Sequence, residues 1–150
     1  MQLPPCGLYR TTGQIGTVES GRLVYFHNHG KPGPGIYLPN GWKQNRAQFA
    51  DQGITIPGPE SVRFLEPLPP EGFYRVKSEF VCCERKCRTY EPDALVQLGY
   101  DGTGQAILFV PELLDGMLAI PERGTRINAS TFTYLQHLKV PLGQRPELAT

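Results

Sequence analysis

Three of the four cysteines lie close together in the chain, and they carry its most reactive side chains. Cys82, Cys83 and Cys87 occur in the segment CCERKC. Thiolates are good zinc ligands, and two cysteines separated by three or four residues can reach one tetrahedral ion. A fourth ligand would come from Cys6 or from one of the three histidines. The segment therefore predicts a zinc site formed by Cys83, Cys87, Cys82 and Cys6.

Other interpretations of these cysteines stay open. Adjacent residues on an extended chain point to opposite sides, so Cys82 and Cys83 can share a metal only across a turn. Otherwise one of them is a small buried residue and the other thiols are free. Arg85, Lys86 and Arg88 surround the thiols, and positive charges lower the pKa of a nearby thiol. The cluster thus also fits a regulatory thiol or disulfide.

His27 and His29 lie two residues apart at the end of a predicted strand. Two histidines at this spacing face the same side of a strand and could bind a metal there. The alternative is a polar strand end that leads into a turn. The letters HNH do not predict a nuclease, since such sites need histidines and acids spread over a longer ββα unit.

Sequence motifs of common enzymes are absent. The chain contains no P-loop, nucleophile elbow, dinucleotide-binding fingerprint or HExxH motif. A catalytic pair such as Cys83 with His27 or His137 has no supporting motif. The sequence therefore predicts a protein that is not an enzyme.

Aromatic side chains are grouped on the outward face of a predicted hairpin. Tyr25 and Tyr37 are cross-strand neighbours, His27 shares their face, and Trp42 follows the second strand. Small β-modules often bind extended peptides on exposed aromatic patches. We therefore expect Tyr25, His27, Tyr37 and Trp42 to bind a partner protein or peptide. The alternative is that this face packs against the second half of the chain.

A basic and aromatic segment offers a third hypothesis, nucleic-acid binding by stacking and phosphate neutralisation. Its other interpretation is an edge strand protected by charge. The basic residues concerned are Arg75, Lys77, Arg85, Lys86 and Arg88.

The elements that carry these residues are repeated. Residues 22–39 align with residues 94–111 without a gap, and PPCGLYR at 4–10 resembles PPEGFYR at 69–75. Each copy reads as strand, Gly-rich turn and strand. Self-similarity in the same order indicates an internal duplication. The second copy holds an insertion that contains the cysteine cluster.

Alternation of apolar residues assigns the faces of the strands. Val24 and Phe26 in the first copy, and Val96 and Leu98 in the second, stay apolar and therefore face the core. Tyr25 then points outward.

Five short strands in each copy predict an all-β protein of two tandem SH3-like barrels. One short helix is expected near residues 42–52, where apolar residues recur at helical spacing. The expected domains are residues 1–68 and residues 69–141, which we expect to pack on each other, followed by a flexible tail at 142–150.

Composition limits the classes of function. The chain has 17 glycines and 15 prolines spread among its turns, and a formal net charge of +1, so no strong field points to a nucleic acid or a membrane. No basic, apolar leader is seen at the start, which predicts a cytoplasmic protein. Zinc is the one candidate cofactor that the residues suggest, and the sequence does not determine the oligomeric state.

Overall fold

The computed structural model describes residues 2–141 and residue 143, so most of the predicted tail at 142–150 lies outside the described residues. The described chain is mainly β, as predicted, with two 3₁₀ helices at Pro59–Phe64 and Ala129–Tyr134. The strands are β1 Gly7–Thr11, β2 Leu23–His27, β3 Gly35–Tyr37, β4 Pro39–Lys43, β5 Arg46–Phe49, β6 Ile54–Thr55, β7 Leu65–Pro67, β8 Gly72–Val76, β9 Phe80–Val81, β10 Thr89–Tyr90, β11 Leu95–Tyr100, β12 Ala106–Phe109, β13 Glu112–Leu114, β14 Met117–Ala119, β15 Thr125–Arg126 and β16 Leu135–His137.

Two five-stranded antiparallel sheets have the same strand order. The first is β6-β3-β2-β1-β7, and the second is β15-β12-β11-β8-β16. Tyr25 pairs with Tyr37 in the first sheet, and Gln97 pairs with Phe109 at the aligned place in the second. We call β1–β7 module one and β8–β16 module two. The repeat read in the sequence is therefore also a repeat of topology.

Neither sheet closes into a barrel within the described residues. Strands β6 and β7 form the two edges of the first sheet, and β15 and β16 form those of the second. Each edge strand has only two or three residues. The expectation of SH3-like barrels therefore goes further than the structure, which has two open sheets.

The helix predicted near residues 42–52 is wrong, because this segment is a β-hairpin. Strands β4 and β5 pair with Trp42 opposite Ala47. Gln44 and Asn45 form the turn with φ of 50° and 66°. A two-residue turn with both φ values positive matches the twist of paired strands. We call residues 39–49 hairpin one.

Module two has a hairpin at the corresponding place. Strands β13 and β14 pair with Leu113 opposite Leu118, and the turn residues Asp115 and Gly116 have φ of 51° and 79°. We call residues 112–119 hairpin two. The Trp42–Ala47 pair thus corresponds to the Leu113–Leu118 pair.

The core positions are those expected from alternation. Val24 and Phe26 are fully buried in module one, and Val96 and Leu98 are fully buried in module two. Each sheet therefore covers its own apolar cluster with one face.

The modules also share apolar packing, as the sequence predicts for two units of this size. Leu23 and Ala47 of module one are buried in the same cluster as the core of module two. The backbone N–H of Leu23 donates to the carbonyl of Gly102 at 2.9 Å. Hairpin one and the start of β2 therefore join the two sheets.

Close contact at Gly99 allows hairpin one to lie on module two. A Cβ atom at this position would stand 2.6 Å from the carbonyl oxygen of Asn45 and 3.2 Å from the ring of Phe109. The carbonyl belongs to the hairpin turn, so the whole turn would have to shift.

We expect Gly99→Ala to lower the free energy of unfolding by about 1–3 kcal/mol, because the added methyl group overpacks this contact. Urea unfolding measures the change. Gly102→Ala is the matched control, since its Cβ would meet Trp42 at an ordinary 3.7 Å. Equal stability of the two variants would contradict the close contact.

Candidate functional site

Gln97 forms the polar centre of the contact between hairpin one and module two. Its Nε2 donates to the carbonyl of Gln44 at 3.0 Å, and its Oε1 accepts from Asn45 Nδ2 at 3.0 Å. Asn45 Nδ2 also donates to the carbonyl of Pro121 at 2.9 Å. Gln97 is only 3% exposed. These bonds satisfy a buried amide and fix the position of the hairpin turn.

Glu71 binds the hairpin at a second point. Its Oε2 accepts the backbone N–H of Ala47 at 2.9 Å, and the residue is 8% exposed. Burial raises the pKa of this carboxyl group, although the Ala47 bond and the charge of Arg46 act in the opposite direction. In the aligned PPCG and PPEG segments, Cys6 takes the place of Glu71.

Trp42 lies against module two and not with the tyrosines of module one. Its Nε1 donates to the carbonyl of Tyr100 at 2.8 Å, and the ring lies beside Gly102. The residue is 46% exposed. The predicted set of four aromatic residues is therefore divided.

The other three members of that set form a continuous surface. The ring of His27 lies 5.0 Å from that of Tyr25 and 5.6 Å from that of Tyr37. All three side chains are half-buried. We call Tyr25, His27 and Tyr37 the aromatic face of module one.

Phe49 extends this surface, and the sequence analysis missed it because it placed residue 49 in a helix. Its ring lies 5.7 Å from that of Tyr25. Both side chains line a cleft of about 600 Å³, which also reaches Leu8, Cys6 and Glu71 at the junction of the modules. Alternation on either side of the Gln-Asn turn was the signal that could have placed Phe49.

Cys6 lies with two histidines and apart from the other cysteines. Its Sγ is 3.8 Å from His27 Nδ1 and 3.7 Å from His29 Nδ1. It also accepts the backbone N–H of Asn28 at 3.3 Å. The prediction that Cys6 joins the cluster around Cys83 is therefore wrong. The end of β2 instead places Cys6 beside the histidine pair.

Cys82, Cys83 and Cys87 do come together, with their sulfur atoms all within 4.8 Å of one another. Cys82 Sγ lies 3.4 Å from Cys83 Sγ, because the chain bends here and is not extended. The turn is closed by the Lys86 N–H, which donates to the Cys83 carbonyl at 2.9 Å. We call these three residues the thiol cluster.

The cysteines of the thiol cluster differ in exposure, and Cys83 and Cys87 differ in pKa. Cys82 is buried and accepts the backbone N–H of Arg88 at 3.3 Å, whereas Cys87 is exposed. Hydrogen bonds from Cys82 and from the backbone of Arg85 lower the pKa of Cys83. Partial desolvation and the neighbouring sulfur charges raise the pKa of Cys87. The pKa of Cys83 is thus lower than that of Cys87.

The basic residues of the third hypothesis are all exposed, but two of them have partners in the protein. Arg75 forms an ion pair with Asp93 at 2.7 Å. The guanidinium of Arg88 lies over the ring of Tyr90 at 5.7 Å. Arg85, Lys86 and Lys77 remain as exposed cations, and their role in binding nucleic acids stays a prediction.

Hairpin two is the most exposed apolar segment in the described part of the chain, and the sequence analysis did not single it out. Leu113 and Met117 are 73% and 74% exposed, and Leu114 and Leu118 are 57% and 59% exposed. Hairpin one, by contrast, lies on a neighbouring module.

Comparison with protein-family models, with curated proteins and with solved structures gives no match to this chain. In addition, no helix in the described residues is long and apolar enough to cross a membrane.

We expect Glu71→Gln to flatten the pH dependence of stability. Because burial raises the pKa of Glu71 in the folded state, folding takes up a proton between the unfolded pKa of about 4.3 and the higher folded value. The free energy of unfolding therefore falls as the pH rises through that window. Glutamine keeps an oxygen for the Ala47 N–H and does not ionise.

Urea unfolding at a series of pH values tests this expectation, with Glu79→Gln as a control on an exposed glutamate. The Glu71 variant should be at least as stable as the native chain at neutral pH. A variant that loses stability at neutral pH and keeps the native pH slope would contradict the assignment.

Proposed function

We propose that this chain is a non-catalytic binding protein that receives a partner protein on the aromatic face of module one. The proposal rests on the position of module two that corresponds to the aromatic face, because this position already contacts a hairpin. There, Gln97 and Gly99 on β11 hold the turn of hairpin one. Tyr25 and His27 occupy the aligned positions on β2.

The repeat supports this proposal because one face of the fold already binds a β-hairpin. Strand β2 lies third in its sheet, as β11 does, with partners on both sides. Within the described residues, no hairpin turn lies on the aromatic face as hairpin one lies on β11. The same sheet position therefore contacts a hairpin turn in module two, whereas in module one it contacts Phe49 at the edge of the aromatic face.

The residue types indicate the kind of partner. Module two holds its hairpin with a buried amide, whereas module one presents two tyrosines and a histidine at the matching surface. Aromatic side chains with a polar tip are enriched among residues that dominate binding energy. An extended or hairpin segment with apolar side chains fits this surface and the adjoining cleft.

Peptides selected from a displayed hairpin library for binding to the chain give the test. We expect the double substitution Tyr25→Ala and Tyr37→Ala to weaken their binding by a factor of at least about 30, because even one aromatic anchor contributes about 2 kcal/mol or more. Titration calorimetry measures the affinity. Tyr134→Ala, an exposed tyrosine of module two, is the control.

Two outcomes would overturn this proposal. Peptides that bind the double variant as tightly as the native chain would place the binding site elsewhere. A double variant that no longer unfolds cooperatively would show that the tyrosines are structural. Trp42→Ala is a separate case, since its bond to Tyr100 predicts a loss of stability at the module contact.

The thiol cluster favours a second function, a zinc or redox site in the inserted loop. Three sulfur atoms within 4.8 Å of one another match the ligand spacing of a tetrahedral thiolate site. The backbone N–H of Arg88 supports one sulfur, as outer-shell bonds do in metal sites. Zinc here would cross-link the two ends of the loop between β9 and β10.

In a Cys6→Ser background, we expect the reduced protein to retain one equivalent of zinc and to protect Cys83 and Cys87 from a maleimide. A chelator should remove the protection, because the thiolates are then free. Zinc content and mass spectrometry of the labelled protein are the measurements.

Cys87→Ser should abolish this protection. If zinc leaves the labelling rates unchanged, the metal function is wrong. Loss of two free thiols on mild oxidation, with no zinc retained, would instead favour the redox function.

A further inference from the structure

Cys6, His27 and His29 form a cluster with the dimensions of a metal site. Zinc bonds of about 2.3 Å to sulfur and about 2.1 Å to nitrogen place these two ligands about 3.6 Å apart in a tetrahedron. The observed Sγ–Nδ1 distances are 3.8 Å and 3.7 Å. The three ligand atoms all lie within 4.8 Å of one another.

From this geometry we infer that Cys6, His27 and His29 bind a divalent transition-metal ion of the zinc class. One thiolate and two imidazoles are soft and intermediate ligands, which favour zinc or cobalt over magnesium or calcium. The site is separate from the thiol cluster. It shares His27 with the aromatic face, but metal binding does not require the proposed partner.

The strand register holds the ligands in place. Gly7 pairs with Phe26 in the β1–β2 ladder, so Cys6 and His27 are brought side by side by their neighbours. Asn28 donates its backbone N–H to Cys6 Sγ and its side-chain Nδ2 to the carbonyl of Pro4. Asn28 therefore connects the segment that follows β2 to the segment that precedes β1.

The fourth side of the cluster can be reached from solvent and carries an oxygen. Cys6 and His27 are half-buried, and His29 is exposed. Asn28 Oδ1 lies 3.3 Å from Cys6 Sγ and 2.9 Å from His29 Nδ1. An entering ion would thus meet three ligands and one neutral amide.

Comparison of the two modules shows that the fold does not need these ligands. In module two, Glu71 replaces Cys6 and binds the N–H of Ala47. Gly99 replaces His27 and gives room to the turn of hairpin one.

Asp101 replaces His29 and accepts the backbone N–H groups of Thr103 and Gln105 in its own turn. Each module two residue therefore has a structural task. Module one keeps the same fold with three metal-binding side chains at these positions.

Cobalt titration of a Cys83→Ser, Cys87→Ser chain tests the inference, because this background removes the thiol cluster. We expect one equivalent of Co²⁺ to give the visible bands of a tetrahedral ion and a thiolate-to-cobalt charge-transfer band. Zinc should displace the cobalt and remove both signals. Acidification should weaken binding, since protons compete for the ligands.

Adding Cys6→Ser should remove the charge-transfer band, and His29→Ala should weaken binding about 100-fold or more. His137→Ala is the matched control, since this histidine packs on Tyr74 in module two. A cobalt spectrum without the charge-transfer band, or one that Cys6→Ser leaves unchanged, would overturn the inference. Loss of peptide binding with cobalt binding intact would affect only the proposed function.

Discussion

The arrangement of the two modules depends on the contact between the turn of hairpin one and strand β11. It combines a buried amide, Gln97, with a glycine at residue 99 that admits the hairpin turn. If the hairpin turn moved away, the buried amide of Gln97 would lose these partners without regaining water. The contact therefore stabilises the protein only when the turn is in place. Leu23 and Ala47 add apolar burial on the same side. The modules therefore join through hairpin one as well as through the start of β2.

Local patterns in the sequence predicted the strands and their core faces, because a strand has a period of two and the repeat shows which face stays apolar. The helix was wrong because Trp42, Arg46 and Phe49 also fit a spacing of three to four residues, and no glycine marks the turn at Gln44 and Asn45. Barrel closure depends on whether distant edge strands meet, which strand count cannot determine. Similarly, glycine is a weak strand former, and the sequence gives no reason for a glycine at residue 99. The close approach of the Asn45 carbonyl provides that reason.

The candidate sites also differ in whether local sequence or long-range strand pairing brings their residues together. The thiol cluster is contiguous in the sequence, so its assembly was predictable, although the bend at Cys82 was not. Cys6 was assigned to the wrong cluster because its neighbours are set by the β1–β2 register, which pairs Gly7 with Phe26. Trp42 was separated from the aromatic face by the same hairpin that had been mistaken for a helix. Long-range register is thus the information that the sequence patterns lacked.

Hairpin two makes the two ends of the pair of modules different. Module two extends a hairpin of the same build as hairpin one, but within the described residues no third module lies beneath it, and its leucines and Met117 remain in water. A series of such modules has one end that offers a hairpin and another end with an open sheet face. In general, head-to-tail contacts between identical units either close into a ring or continue as a fibre. Hairpin two therefore exposes to water the four apolar side chains at the place where hairpin one contacts a neighbouring module.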